Sequence, residues 1–185
     1  VLFLGVHSVA LAAPGTRERL RERLGPGPWR GLYALVSLVG FVLLVHGYGV
    51  ARQEPAVLYT PPFWMRHVTH LLMLPVFPLV FAAYLPGRIK AALEHPMLVG
   101  TMIWAVAHLL ANGTLADVLL FGGFLAWAVA DRRSFTRRPP QVMKTAPPSR
   151  RNDWIAIALG LLVYVVFGAW LHALLIGVPA FTPGG

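Results

Sequence analysis

The sequence contains no cysteine, which excludes disulfides, thiolate metal sites, iron–sulfur clusters and covalent c-type haem attachment together. It is also poor in charge. Asp, Glu, Lys and Arg make up 12% of its 185 residues, about half the roughly 25% of ordinary soluble domains. Phosphate-binding loops, HExxH, GxSxG and paired carboxylates within apolar runs are all missing, so nucleotide-driven and hydrolytic chemistry have nothing to stand on. Missing too are internal repeats and the alternating segments of about ten residues that a lipid-facing β-barrel needs.

What is present is apolar and gathered into long runs. Hydrophobic residues reach 57% with a mean hydropathy of +0.64, a pattern that suits a hydrocarbon layer about 30 Å thick. The expected fold is all-α: a polytopic membrane bundle of six transmembrane helices, forming one domain over residues 1–185. Run one is Val1 to Ala13. It is too short to span and is expected to be the end of a helix truncated at its start. With no basic segment before it and Arg-rich sequence after it, it does not read as a cleaved signal peptide. Pro14-Gly15 should stop it, and the basic connection Thr16 to Arg30, with Leu20 and Leu24 one turn apart, suggests a short interfacial helix ended by Gly25-Pro26-Gly27-Pro28.

Run two is Gly31 to Val50, and run three is Phe63 to Leu85, kinked by Pro75 and Pro78. The link Pro86 to Pro96 holds a brief amphipathic piece. Runs four and five, Met97 to Asn112 and Leu115 to Ala130, should form a hairpin turning at Asn112-Gly113, with Thr114 and Asp117 as a capping box. Small residues Gly100, Ala105, Ala107, Ala111, Gly122 and Gly123 would let these two helices approach closely. Asp131 to Asp153 is polar, with two Pro-Pro pairs, and is expected to be an unpacked loop before run six, Trp154 to Ile176.

The formal net charge is +9 with pI about 11.1, which would suit nucleic acid were the sixteen Lys and Arg not confined to the connections. No nucleic-acid partner is expected. Fourteen basic residues fall in odd-numbered connections against two in even-numbered ones. The excess puts the odd connections in the cytoplasm and both termini outside, in a multi-pass membrane protein.

The residue type left to carry chemistry is histidine, of which there are seven. Imidazole without thiolate in an apolar bundle suits haem iron best among common cofactors. An ionisable ring deep in an apolar helix is by default a functional candidate. His108 lies about eleven residues into run four, roughly 16 Å from its end. It reads as a haem-iron ligand or as a histidine hydrogen-bonded to a carbonyl or hydroxyl on a neighbouring helix. His7, before the break at Pro14, is a weaker candidate of the same kind, and Ser8 beside it should bond back to its own helix. His46, His67, His70 and His172 sit near the other ends of their helices. They form a possible secondary metal or haem site, with His67 and His70 sharing a face, or else they are interfacial anchors beside Trp64 and Arg66. Arg66 suits a haem propionate or a lipid phosphate, and His95 a solvated or capping role. Trp104, Phe121, Phe124 and Trp127 would either flank a flat cofactor or pack the bundle.

GVHS at Gly5 to Ser8, the segment ending GPWRGLYALVSL, YTPPFWMRH at Tyr59 to His67, LPGRIKAALEHPML at Leu85 to Leu98, and WAVAHLLANGTLADVLLFGGFLAWAVADR at Trp104 to Arg132 together resemble the NnrU family over nearly the whole chain. The resemblance implies an association with bacterial denitrification, in nitrite and nitric oxide respiration, and kinship with the plant 15-cis-zeta-carotene isomerase, a haem b membrane enzyme. Carried over by motif, the isomerase's haem-ligand histidines fall on His7 and His108, which would hold one non-covalent haem b. The isomerases have a cysteine where this chain has Ala105, so ligand exchange through a thiolate does not transfer. Three functions of different class follow: a haem b protein serving nitric oxide and nitrite respiration, a redox-gated cis–trans isomerase of a polyene, and a non-enzymatic subunit of a membrane complex. Their respective partners would be nitric oxide, a lipid-soluble small molecule and another membrane protein.

Overall fold

The computed structural model describes residues 2–135 and 145–181. Its regular structure is helical, with one isolated antiparallel bridge, Val57 to Thr114, among the described residues. Ten α-helices follow in order: α1 (Leu2–Ala12), α2 (Pro14–Leu24), α3 (Pro26–Ala51), α4 (Met65–Met73), α5 (Val76–Tyr84), α6 (Arg88–Leu93), α7 (Pro96–Ala111), α8 (Leu115–Ser134), α9 (Arg151–Val166) and α10 (His172–Ile176). A π-helical turn, Phe167–Leu171, joins the last two.

Prolines set several of these boundaries in ways the runs did not suggest. Pro14 opens α2 and Pro26 opens α3, each in the first turn, where a missing N–H costs nothing and the fixed φ favours the helix. Gly25, at φ 81°, is the hinge between them. The Gly-Pro segment therefore begins the third helix instead of merely ending the second. Run three breaks at Leu74–Pro75 into α4 and α5, and Pro78 falls within the first turn of α5.

Three helices are long and apolar enough to cross a bilayer: Pro26–Ala51, Met65–Tyr84 and Arg151–Ile176. That is three among the described residues, not the six expected. The reason is length and charge. Helix α1 has 11 residues and α7 has 16, or roughly 16 and 24 Å at 1.5 Å per residue. Helix α8 has 20 residues but carries Asp117 in its first turn and Arg132 and Arg133 in its last.

The chain divides into two compact units, one of Val1–Thr60 with Asn112–Pro139 and one of Pro61–Ala111 with Pro140–Gly185. In the first, α1 packs on α3 and α8. A β-carbon on Gly40 would lie 2.9 Å from the Phe3 backbone nitrogen, so that glycine lets α1 press directly onto α3. Phe3 then meets Phe41 and Phe124 at ring distances of 6.0 and 5.9 Å. The link after α3 is tied to the start of α8: Leu58 and Tyr59 N–H both donate to the Gly113 carbonyl, Leu115 N–H donates to the Ala56 carbonyl, and the Tyr59 hydroxyl donates to the Asn112 carbonyl.

In the second unit, α5 packs against both α7 and α9, burying Val76, Leu79, Ala82 and Ala83 with Leu98, Ala105, Ala107 and Ala156. Gly160 and Gly100 make the close approach possible. A β-carbon on Gly160 would fall on the Pro78 backbone, and one on Gly100 would lie 3.3 Å from the Val76 carbonyl oxygen. Small residues set helix spacing as expected, but their neighbours differ from those expected: Gly100 meets α5, and Gly123 has only Leu4 of α1 within reach.

The segment before α9 is packed, contrary to expectation. Helix α8 runs on to Ser134, and residues 145–153 lie along the end of α5 and the start of α6. Ala146 N–H donates to the Tyr84 carbonyl, and Ser149 N–H donates to the Pro86 carbonyl. Asn152 Nδ2 donates to the Pro86 and Pro147 carbonyls. Residues 136–144 of the expected loop lie outside the described residues.

Candidate functional site

His7 sits on α1 in the first unit. Its Nδ1 is 2.8 Å from the Phe3 carbonyl oxygen, one turn earlier. A carbonyl only accepts, so Nδ1 carries the proton and the lone pair lies on Nε2. Metal-bound histidines are oriented in this manner, with the second nitrogen fixed by a backbone or carboxylate acceptor. Rings wall the imidazole: Phe3 at 4.3 Å, Tyr33 of α3 at 5.6 Å and Trp127 of α8 at 6.2 Å, the last two edge-on. Trp127 Nε1 is buried without a hydrogen-bond partner among the described residues. A buried orphan N–H costs about 1–3 kcal/mol, and such groups mark sites that complete themselves with a ligand or water. Ser8 Oγ donates to the Leu4 carbonyl at 2.7 Å, the back-bonding expected of it.

His108 sits in the last turn of α7 in the second unit and repeats the local geometry. Its Nδ1 is 2.8 Å from the Trp104 carbonyl oxygen, and its ring lies 5.2 Å from the Trp104 ring. The same argument leaves the lone pair on Nε2. Ala105 and Ala107 on this helix are fully buried. Thr69 of α4 donates to the Ala107 carbonyl at 2.9 Å, which holds α4 against α7 next to the histidine. Of the four aromatics read either as flanking a flat cofactor or as packing the bundle, Trp104 and Trp127 each stand beside one of these histidines. Phe124 packs on Phe3 and Phe121 on Tyr48.

The remaining histidines have local partners of other kinds. His46 is exposed on α3. His67 packs edge-on against Phe63 at 5.6 Å, and the Arg66 guanidinium lies 5.6 Å from the same ring. His70 lies 5.3 Å from the Phe181 ring, while its carbonyl accepts from the Tyr164 hydroxyl. His172 Nδ1 donates to the Val178 carbonyl. The His95 carbonyl accepts from Leu98 and Val99 N–H at the start of α7, a capping role. Among the described residues, no group of three His, Asp or Glu side chains is placed to hold a metal ion.

Two polar constellations were not legible in the sequence. Asp117, half of the expected capping box with Thr114, also accepts the Tyr48 hydroxyl of α3 at 2.5 Å. Asp153 accepts Arg88 and Ile89 N–H at 2.9 and 3.1 Å, capping α6 from the start of α9. The available signal was a tyrosine and a carboxylate at the ends of otherwise apolar runs, where a buried polar group must find a partner.

A family model described as NnrU protein matches residues 1–180. No curated protein and no solved structure matches the chain. The helical chain belongs to the NnrU family.

Proposed function

We propose that this chain is an integral-membrane haem b protein in which His7 and His108 supply imidazoles to the iron, and that it serves nitrite and nitric oxide respiration. The observation that carries the reading is the repeated geometry of the two rings, each giving Nδ1–H to the carbonyl one turn back at 2.8 Å. That fixes ring orientation and presents Nε2, as metal-ligating histidines require. The buried Trp127 N–H beside His7 supplies a donor for an acceptor atom on a bound group, and the aromatic walls suit a flat macrocycle. When bound, haem supplies one-electron redox chemistry and affinity for nitric oxide. The residues of this chain hold it, orient it and exclude water. The denitrification context comes from the family.

The isomerase reading is weaker because Ala105 is fully buried and offers a methyl group where the isomerases carry a thiol. With three apolar spans, the basic residues before the first span and between the second and third support a cytoplasmic side for both segments and a C-terminus outside the cytoplasm; the family context makes the membrane a bacterial inner one. Substitution of the histidines tests the assignment. His108→Ala should abolish the Soret band and His7→Ala should weaken it or make it five-coordinate, while His46→Ala and His172→Ala leave it largely intact. Loss of the band in the latter pair with retention in His108→Ala would move the site to the secondary group.

A further inference from the structure

The second unit carries an open cleft of about 710 Å³ lined by Pro86, Gly87, Arg88, Lys90, Glu94 and Arg150, among others. Its position is set by the folds around it. The span Met65–Tyr84 ends just before Pro86, and the span Arg151–Ile176 begins just after Arg150. The cleft therefore sits at the level where two apolar spans give way to polar chain, the level of lipid headgroups.

Its charges are unbalanced. Arg88 and Arg150 are exposed, and their guanidinium groups make no hydrogen bond or ion pair among the described residues. The buried carboxylate that might have neutralised them, Asp153, is committed to the Arg88 and Ile89 backbone N–H groups. The Lys90 ammonium is committed as well, donating to the Ala83 carbonyl at 2.7 Å. Among the described residues, Glu94 is the one carboxylate lining the cleft. Among the described residues, two unengaged guanidinium groups thus line a cleft with one carboxylate. A guanidinium binds phosphate oxygens through paired N–H donors, and basic pockets at the ends of membrane helices take anionic headgroups.

We propose that this cleft binds the phosphate of an anionic phospholipid, with Arg88 and Arg150 as its ligands. The shared chemistry, a phosphate monoanion, would also fit free inorganic phosphate. The headgroup is favoured because the cleft lies where the spans end. Phosphate contact here involves none of the histidines, so it stands apart from the haem reading.

The test is binding of phosphatidylglycerol and phosphatidylcholine to the purified full chain, read by native mass spectrometry. Wild type should retain phosphatidylglycerol in preference to phosphatidylcholine. Arg88→Gln and Arg150→Gln should each weaken retention by about fivefold, the worth of one cation at an anionic surface, and the double variant by roughly twentyfold or more. Both side chains are exposed, and a retained thermal transition shows that the variants fold. Arg23→Gln and Arg30→Gln, cations outside the cleft, should leave the cleft-bound lipid unchanged. The proposal is overturned if the double variant retains phosphatidylglycerol like wild type, or if the two lipids bind alike. Displacement of the lipid by millimolar inorganic phosphate would overturn it as well, making the cleft a site for the free anion.

Discussion

Asp117 is 5% exposed and accepts three hydrogen bonds: the Tyr48 hydroxyl at 2.5 Å, the Thr114 hydroxyl at 2.6 Å and the Thr114 N–H at 2.9 Å. It is at once the N3 half of the capping box whose N-cap is Thr114 and the polar tie between α8 and α3. Asp117→Ala removes the carboxylate half of the capping box, worth on the order of 0.5–2 kcal/mol. It also strands the half-buried Tyr48 hydroxyl, at a cost of about 1–3 kcal/mol. The expected loss is about 2–4 kcal/mol. Tyr48→Phe removes a single charge-assisted bond and leaves the carboxylate with both Thr114 donors, so about 1–2 kcal/mol is expected. Asp117→Asn keeps one acceptor oxygen but turns the other position into a donor that faces a donor, and should fall between the two. The assay is reversible unfolding in mixed micelles followed by tryptophan fluorescence, with Tyr48→Phe/Asp117→Ala closing a double-mutant cycle. The cycle should return a coupling of about 1 kcal/mol or more. A loss below about 1 kcal/mol for Asp117→Ala, or strict additivity in the cycle, would refute the assignment of this network as a structural tie.

The close helix contacts give a steric test. Gly160→Ala should destabilise the second unit by forcing α9 off the Pro78 backbone, whereas Gly122→Ala, with nothing within 4 Å of the added carbon, should be neutral or stabilising by up to about 1 kcal/mol. Equal effects in the two variants would contradict the packing of α9 on α5. Gly113→Ala places a methyl on the Tyr59 carbonyl and should increase hydrogen exchange at Leu58, Tyr59 and Leu115, whose N–H groups hold this turn; unchanged exchange would count against it. Asp153→Ala uncaps α6 and should cost about 1–2 kcal/mol, with hydrogen exchange at Arg88 and Ile89 rising first. A reporter active only in the cytoplasm, fused after Gly185, should be silent. Activity there would reverse the proposed orientation.

How much was legible follows from which interactions are local. Helix character, the break at Asn112-Gly113, the Thr114–Asp117 box and the division at Pro75 are all written in neighbouring residues, and the structure has each of them. Ser8 bonding to Leu4 is likewise a one-turn effect. The reason for glycine at position 113 was not visible. Gly113 has no positive φ, so the turn needs it for room beside the Tyr59 carbonyl, a contact between residues 54 apart. The same holds for Tyr48 with Asp117 and for Asp153 with the Arg88 and Ile89 N–H groups, where partners lie far along the chain and composition alone says only that a buried polar group needs one. The prolines misled in the opposite direction. Gly25-Pro26-Gly27-Pro28 looks like a terminator, but proline in a first turn is a helix starter, so α3 begins several residues early. For the histidines, depth in an apolar run pointed to His108 and the family resemblance added His7; the structure adds a carbonyl oxygen 2.8 Å from Nδ1 of each ring, which a neutral imidazole meets with its proton on Nδ1.

The most direct test of the central proposal is the absorption spectrum of the purified wild-type chain, with pyridine haemochrome quantification of haem per polypeptide. A Soret band with a b-type haemochrome, released by acid acetone because no thioether holds it, is the expected result. A colourless preparation that stays colourless after haem is supplied during expression would contradict the haem reading and leave the non-enzymatic subunit as the function to pursue.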